Sequence, residues 1–348
     1  MKKICFILIG VLAFAGVAGQ SGGERWFAAD DPAIQYMGRI DFSNPKLPRF
    51  WASGVVVRLR FRGPRCRIVV HDQAPDEKTY NYVVIKAGDQ EAYRVKLSGR
   101  SDTLMVRGSG DELVTVCKAT EGIAWMEVAG VIAAALLPPP ALPDRKIECI
   151  GNSITCGFGN DTSNIPCGHG EWFDQSNAWM SYGAMTARAL KAQWQLTSVS
   201  GIGLIHSCCN MTITMPEVFD RMDTRGNQGS WDFARYQPDV VTVCLGQNDG
   251  IQDSVAFCGA YLGFVRRLRH VYPETRIVLL TSPMGNADLT AVLKRYINGV
   301  VSASGDARIS SFFFSKQWSH GCAGHPDISD DKEIAGELMG YLHQLMKW

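Results

Sequence analysis

Two rhythms of apolar and polar residues run along this chain, and a cluster of prolines separates them. From about residue 25 to 134, short runs rich in Val and Tyr recur at 55–61, 66–72, 80–87, 91–97, 104–107, 113–118 and 125–132. Many alternate residue by residue, the period of a strand with one face in a core. Arg62-Gly63-Pro64, Gly88-Asp89, Ser98-Gly99 and Gly108-Ser109-Gly110 punctuate them as turns. Strands at this spacing without long helices predict an all-β sandwich or jelly roll over 25–137. Pro138, Pro139, Pro140 and Pro143 suit neither strand nor helix, so 138–144 reads as a linker.

Over 145–348 the rhythm changes. Strand-like runs at 146–150, 195–200, 240–245, 276–281 and 308–314 alternate with helical patterns at 178–192, 255–271, 289–302 and 330–347. That alternation predicts an α/β domain, a parallel sheet covered by helices on both faces.

The amino terminus belongs to neither pattern. Lys2 and Lys3 precede the apolar stretch 4–17, followed by Ala18 and Gly19. Residues 1–20 thus have the layout of a secretory signal peptide, short for a membrane span, with an uncleaved anchor as the other reading. The expected location is outside the cytoplasm, periplasmic or secreted, with no membrane span after cleavage.

Composition narrows the field further. A formal net charge of +1 and 20% charged residues provide no basic field for nucleic acid. Of eleven cysteines, Cys5 falls in the leader; the remaining ten permit disulfides in an oxidising compartment. Cys149 and Cys244 lie in apolar strands and read as small buried hydrophobes.

Candidate chemistry gathers where the strands of the second domain end. The run 147–160, IECIGNSITCGFGN, passes from a buried strand through Gly151-Asn152-Ser153. Taken alone, Ser153 is either a helix cap or a nucleophile. The next strand is followed by Ser200-Gly201-Ile202-Gly203, the third by Gly246-Gln247-Asn248-Asp249, and the fifth by a loop with Gly321-Cys322-Ala323-Gly324-His325-Pro326. A doubly wound sheet brings these ends to one edge. There His325 can act as the base for Ser153, and the amides of Ser153 and Gly203 with the Asn248 side chain can hold an oxyanion. Gly201 is the alternative to Gly203. Trp172, in the loop after Ser153, is either a wall for a sugar ring or a core residue. His320, Cys322 and His325, like His206, Cys208 and Cys209, match no usual zinc spacing, so no metal is expected.

These blocks resemble the SGNH (GDSL-type) hydrolase superfamily. More narrowly, 149–159, 182–190, SGIGL at 200–204, 231–239 with LGQND to 249, and GCAGHP at 321–326 resemble carbohydrate esterase family 2. The resemblance implies a β-sandwich joined to a three-layer SGNH domain with a flavodoxin-like parallel sheet. It implies a serine esterase without cofactor that removes O-acetyl groups from xylan- or mannan-type polysaccharide. By the same resemblance Ser153 is the nucleophile, His325 the base, and Gly203 and Asn248 the oxyanion donors. The chain departs from the pattern twice. Asn152 stands where the family usually has Asp, and Cys322 stands where an Asp commonly precedes the histidine by three residues. The second departure predicts a Ser-His dyad with a backbone carbonyl accepting the histidine proton; Asp327 is a weaker candidate, because it fits as the cap of the last helix. Two other readings remain open: an SGNH esterase acting on a different acyl group, and a catalytically impaired carbohydrate-binding protein.

Overall fold

The computed structural model describes residues 23–226 and 228–348. The leader-like residues 1–20 lie outside the described residues.

The first domain is an eight-stranded antiparallel sheet built from β1 (Arg25–Ala28), β2 (Ile34–Met37), β3 (Arg49–Phe50), β4 (Val56–Asp72), β5 (Tyr82–Ala87), β6 (Tyr93–Lys96), β7 (Ser101–Lys118) and β8 (Met126–Leu137). Its path runs β1-β8-β4-β7-β5-β6, with β2 on β4 and β3 on β8. The sequence pattern predicts four short strands where the structure has two long ones. Runs 55–61 and 66–72 are both parts of β4, and runs 104–107 and 113–118 are both parts of β7. The expected turns at 62–64 and 108–110 are a bulge at which these paired strands bend together, the register slipping between Gly63 and Arg65. Before the bulge Val57, Leu59 and Phe61 enter the core; after it Cys66, Ile68 and Val70 do. β4 passes the irregularity with one residue fewer than β7, so its inward positions change from odd to even while Leu104, Val106, Val114 and Val116 of β7 stay even, and both strands keep the apolar side inward. Gly108 is required here, because a Cβ would stand 2.7 Å from the Phe61 ring. Gly and Pro mark an interrupted ladder, whether the chain reverses or merely bends.

Residues 138–145 connect β8 to β9 (Lys146–Gly151). There follow α1 (Ser153–Cys156), α2 (Tyr182–Ala189), β10 (Gln193–Ser198), α3 (Met215–Val218), β11 (Val240–Cys244), α4 (Ser254–Val271), β12 (Arg276–Leu280), α5 (Ala287–Ser304), β13 (Ile309–Phe312) and α6 (Ile328–Met346). The five strands are parallel in the order β10-β9-β11-β12-β13. The order reverses beside β9, and that switch point opens the crevice at the carboxyl ends of the strands. Residues of α2 and α6 share one core cluster and those of α4 and α5 another, giving three layers. The helical pattern expected from 178 is interrupted at Ser181, whose backbone is extended; a 3-10 turn precedes it and α2 starts at Tyr182. Asp331 of α6 accepts the Tyr182 N–H at 3.0 Å, satisfying a donor that a helix start leaves free.

The two domains share a core. Met37, Val56, Tyr82, Val84, Cys117 and Ala119 of the first pack in the same cluster as α2, α6 and Trp194. Arg39, fully buried, donates to Glu148 of β9 at 3.1 Å and to the carbonyls of Phe219 and Arg221. Glu148 also accepts from Gln195, Thr197 and Tyr272, so the buried charge is surrounded by donors.

Candidate active site

Ser153 is the first residue of α1, at the carboxyl end of β9. Gly151 permits the turn between them, since a Cβ there would fall 2.1 Å from Thr155 Oγ1. Asn152 caps α1 by accepting the Ile154 N–H at 3.2 Å. The Asn152 Nδ2 is buried and has no partner among the described residues.

His325 Nε2 lies 2.8 Å from Ser153 Oγ, although 172 residues separate them in sequence. The ring's Nδ1 stands 3.2 Å from the carbonyl oxygen of Cys322. Nδ1–H therefore donates to the main chain, and Nε2 is left as the acceptor facing Ser153. Asp327 takes no part in this, for it caps α6 by accepting the Asp330 N–H at 2.8 Å. Burial pushes the His325 pKa below its ordinary value of 6.5, partly offset by the backbone hydrogen bonds and the charge of Glu121. A neutral imidazole is the form that can take a proton.

The loops after β10 and β11, where the sequence places the expected oxyanion donors, are organised by carboxylates. Asp249 accepts from the N–H groups of Leu204, Ile205 and His206 and folds the loop after β10 around itself. Gly203 lies inside that loop, where a Cβ would meet the His206 carbonyl at 1.9 Å. Its N–H is donated to Ser207 Oγ at 3.0 Å, so the donor expected from Gly203 is already engaged. Gly201 differs: its N–H has no partner among the described residues, and its φ of +87° is the conformation that favours glycine. Gly201 is thus the glycine with a free donor. Asn248 Nδ2 gives one hydrogen to the Ile202 carbonyl at 2.8 Å, and the same nitrogen carries a second.

Three features of this site escaped the sequence pattern. Glu121, from the loop between β7 and β8 of the first domain, accepts the Ser200 N–H at 2.9 Å and binds Arg225 through Nη2 at 2.7 Å and Nε at 3.1 Å. Lys118 braces this loop by donating to the Thr120 and Glu121 carbonyls, its own pKa pushed down to about 7 by burial. Secondly, Phe158 lies between Trp172 and the histidine, its ring centroid 5.9 Å from Trp172 and 4.6 Å from His325. Trp172 is 46% exposed, with Phe158 stacked against its ring and the Arg225 guanidinium 5.5 Å over it. Thirdly, Cys322 forms a disulfide with Cys167 in the loop after α1. An even cysteine count allowed such a bond, but nothing in the spacing singled out this pair. Cys149 and Cys244 are free and buried.

Comparisons with known proteins agree with this architecture. A family model described as Carbohydrate esterase 2 N-terminal matches residues 36–140, and one described as GDSL-like Lipase/Acylhydrolase family matches 149–309. The chain is 30% identical over 333 residues to an acetylxylan esterase / glucomannan deacetylase of Cellvibrio japonicus (strain Ueda107), covering 92% of this chain and 91% of that protein. Among solved structures, a family two carbohydrate esterase from Cellvibrio japonicus superposes with a TM-score of 0.86 at 28% identity, covering 94% of this chain and 99% of the other. Another, from Clostridium thermocellum in complex with cellohexaose, gives 0.82 at 28% identity, covering 90% of this chain and 99% of the other. A β domain fused to a GDSL-like domain, relatives matched along nearly their whole length, and a serine facing a histidine lead to one assignment: the chain belongs to carbohydrate esterase family 2, a family of serine-type carboxylic ester hydrolases.

Proposed function

We propose that this protein is an exported esterase that removes O-acetyl groups from xylan- or mannan-type polysaccharide through an acetyl-Ser153 intermediate and a Ser-His dyad. The observation that carries the mechanism is the 2.8 Å contact between His325 Nε2 and Ser153 Oγ, with Nδ1 turned to the Cys322 carbonyl. In the first half-reaction His325 Nε2 takes the Ser153 proton as Oγ attacks the acetyl carbon. The carbonyl oxygen gains negative charge, which the Ser153 and Gly201 N–H groups and the free hydrogen of Asn248 Nδ2 stabilise. Collapse breaks the ester bond, and the imidazolium gives its proton to the departing sugar oxygen, which leaves as a hydroxyl. Water then attacks the acetyl-enzyme as His325 takes its proton; the acyl–Oγ bond breaks, the imidazolium returns that proton to Ser153 Oγ, and acetate leaves. The exposed part of Trp172 offers the acetylated sugar an aromatic contact, with the Arg225 guanidinium over the same ring. Support for the substrate class comes from the Cellvibrio relative's activity on xylan and glucomannan and from the Clostridium relative's cellohexaose complex. The leader-like residues 1–20 support export.

The test is acetate release from acetylated xylan and acetylated glucomannan, comparing wild type with Ser153→Ala. Wild type releases acetate and the variant does not. Release that survives Ser153→Ala overturns the mechanism. A wild type that is inert on both polymers and on an aryl acetate, yet binds them, replaces the esterase with a carbohydrate-binding protein.

A further inference from the structure

A histidine base needs its Nδ1–H held so that Nε2 faces the serine; in serine hydrolases a carboxylate ordinarily does this. Here the acceptor is a peptide carbonyl on a loop, at a distance near the long end of the hydrogen-bond range. Such an acceptor is only as well placed as its backbone. The Cys322 carbonyl accepts from both the His325 N–H, at 3.1 Å, and Nδ1. The two residues between them, Ala323 and Gly324, have φ of +52° and +71°, a conformation that an unrestrained alanine rarely adopts. Something must hold Cys322.

Two contacts do. The Cys322 N–H donates to the Gly159 carbonyl at 2.9 Å, and the Cys322 side chain is bonded to Cys167. Cys167 is itself fixed. Gln175 Nε2 donates to the carbonyls on either side of it, Pro166 at 3.2 Å and His169 at 2.9 Å. Adjacent Asp174 accepts hydroxyl hydrogen bonds from Tyr80 and Tyr82 of the first domain. A continuous path therefore runs from the β domain through residues 167–175 and one S–S bond to the carbonyl that orients the histidine.

We infer that the Cys167–Cys322 disulfide is the positioning element for His325, so that the esterase is active oxidised and impaired when this bond is reduced. Both cysteines are positioning residues, acting through the Cys322 main chain. The inference rests on the proposed roles of Ser153 and His325. Reduction by dithiothreitol transfers two electrons and two protons: the S–S bond breaks, two thiols form, and the reductant closes to its cyclic disulfide.

Two protein forms test this, wild type with and without dithiothreitol and Cys167→Ala. Three readouts are taken: aryl acetate turnover, labelling of Ser153 by a fluorophosphonate, and the His325 tautomer by nitrogen-15 NMR. In oxidised wild type His325 is the Nδ1–H tautomer. In reduced wild type and in Cys167→Ala we expect a mixed tautomer, kcat and labelling rate down about tenfold, and KM within about twofold. Reoxidation restores wild type, and the variant does not respond to dithiothreitol. A lowered Tm with unchanged kcat and tautomer would make the bond a structural staple and overturn the inference. So would a variant with full kcat that dithiothreitol still inhibits, since Cys208–Cys209 would then be the sensitive bond. Labelling and tautomer need no acetyl substrate. Failure of the proposed esterase activity with an intact labelling response therefore discards the substrate and keeps the positioning role.

Discussion

Ser153 is served from two sides, and the two are built from different chemistry. On the side proposed to hold the oxyanion the positioning groups are carboxylates. Asp249 gathers three consecutive N–H groups, and Glu121 holds both Ser200 and Arg225 from another domain. On the histidine side the orienting acceptor is a peptide carbonyl, and the restraint behind it is a disulfide. A carboxylate carries its own charge to the donor, and its hydrogen bonds are roughly twice as strong as those to a neutral acceptor. A carbonyl makes a weaker one and depends on the rigidity of its loop. Positioning of the base and of the proposed oxyanion donors is therefore separable, and each should fail under different conditions.

The largest effect comes from removing the base. His325→Ala is expected to lower kcat on the order of 10⁴–10⁶-fold with little change in Tm, measured on an aryl acetate and on acetylated xylan. On the opposite side, Asn248→Ala removes a proposed oxyanion donor, for which a fall in kcat of about 10²–10³-fold is expected, with KM nearly unchanged. An equal fall in Ser153 labelling and in turnover would place Asn248 at the oxyanion. A change in KM alone would instead make it a ground-state contact.

Glu121→Gln probes the ionic restraint. Glu121 is 1% exposed, and its neutral replacement weakens hydrogen bonds to a guanidinium, worth about 1.5–3 kcal/mol of stability. Thermal unfolding should show that loss, and kcat should drop about tenfold as the Ser200-Gly201 segment loosens. Full activity at lower stability would confine Glu121 to the domain interface. Trp172→Ala is milder. Losing an aromatic face worth about 1 kcal/mol should raise KM for polymer about fivefold and leave kcat for a small aryl acetate alone.

The smallest effect lies on the pH axis. kcat/KM rises with pH as His325 loses its proton, and burial places that inflection below 6.5. Stability carries the same sign. As pH falls from 6.5 toward the depressed folded value, the unfolded chain takes up the proton first, so the His325 contribution to stability is lost through that window. An inflection above 6.5 in the pH–rate profile would contradict the buried neutral histidine.

Much of this was legible along the chain because the relevant signals are local. Alternation gives a β domain, strand–helix alternation gives a parallel sheet, and chemistry-bearing residues after its strand ends give Ser153, Asn248 and His325 as a set. The bend shared by β4 and β7 was not legible, because Gly63-Pro64 and Gly108-Ser109-Gly110 look alike whether the chain turns back or folds over a core. Nor was the choice between Gly201 and Gly203. Both belong to one tetrapeptide, and only Ser207, four residues past Gly203, takes the second glycine's N–H.

Short windows of the chain carry the two-domain organisation, the esterase family and the Ser153–His325 pair that the fold brings to 2.8 Å, since hydrophobic period and strand-end residues are local properties. Tertiary structure alone decided what holds that pair in place. Glu121 reaches the site from 79 residues before Ser200, and Cys167 reaches Cys322 across 155 residues. The free energy of such contacts depends on two distant backbones meeting at a few ångströms, and no periodicity records that distance.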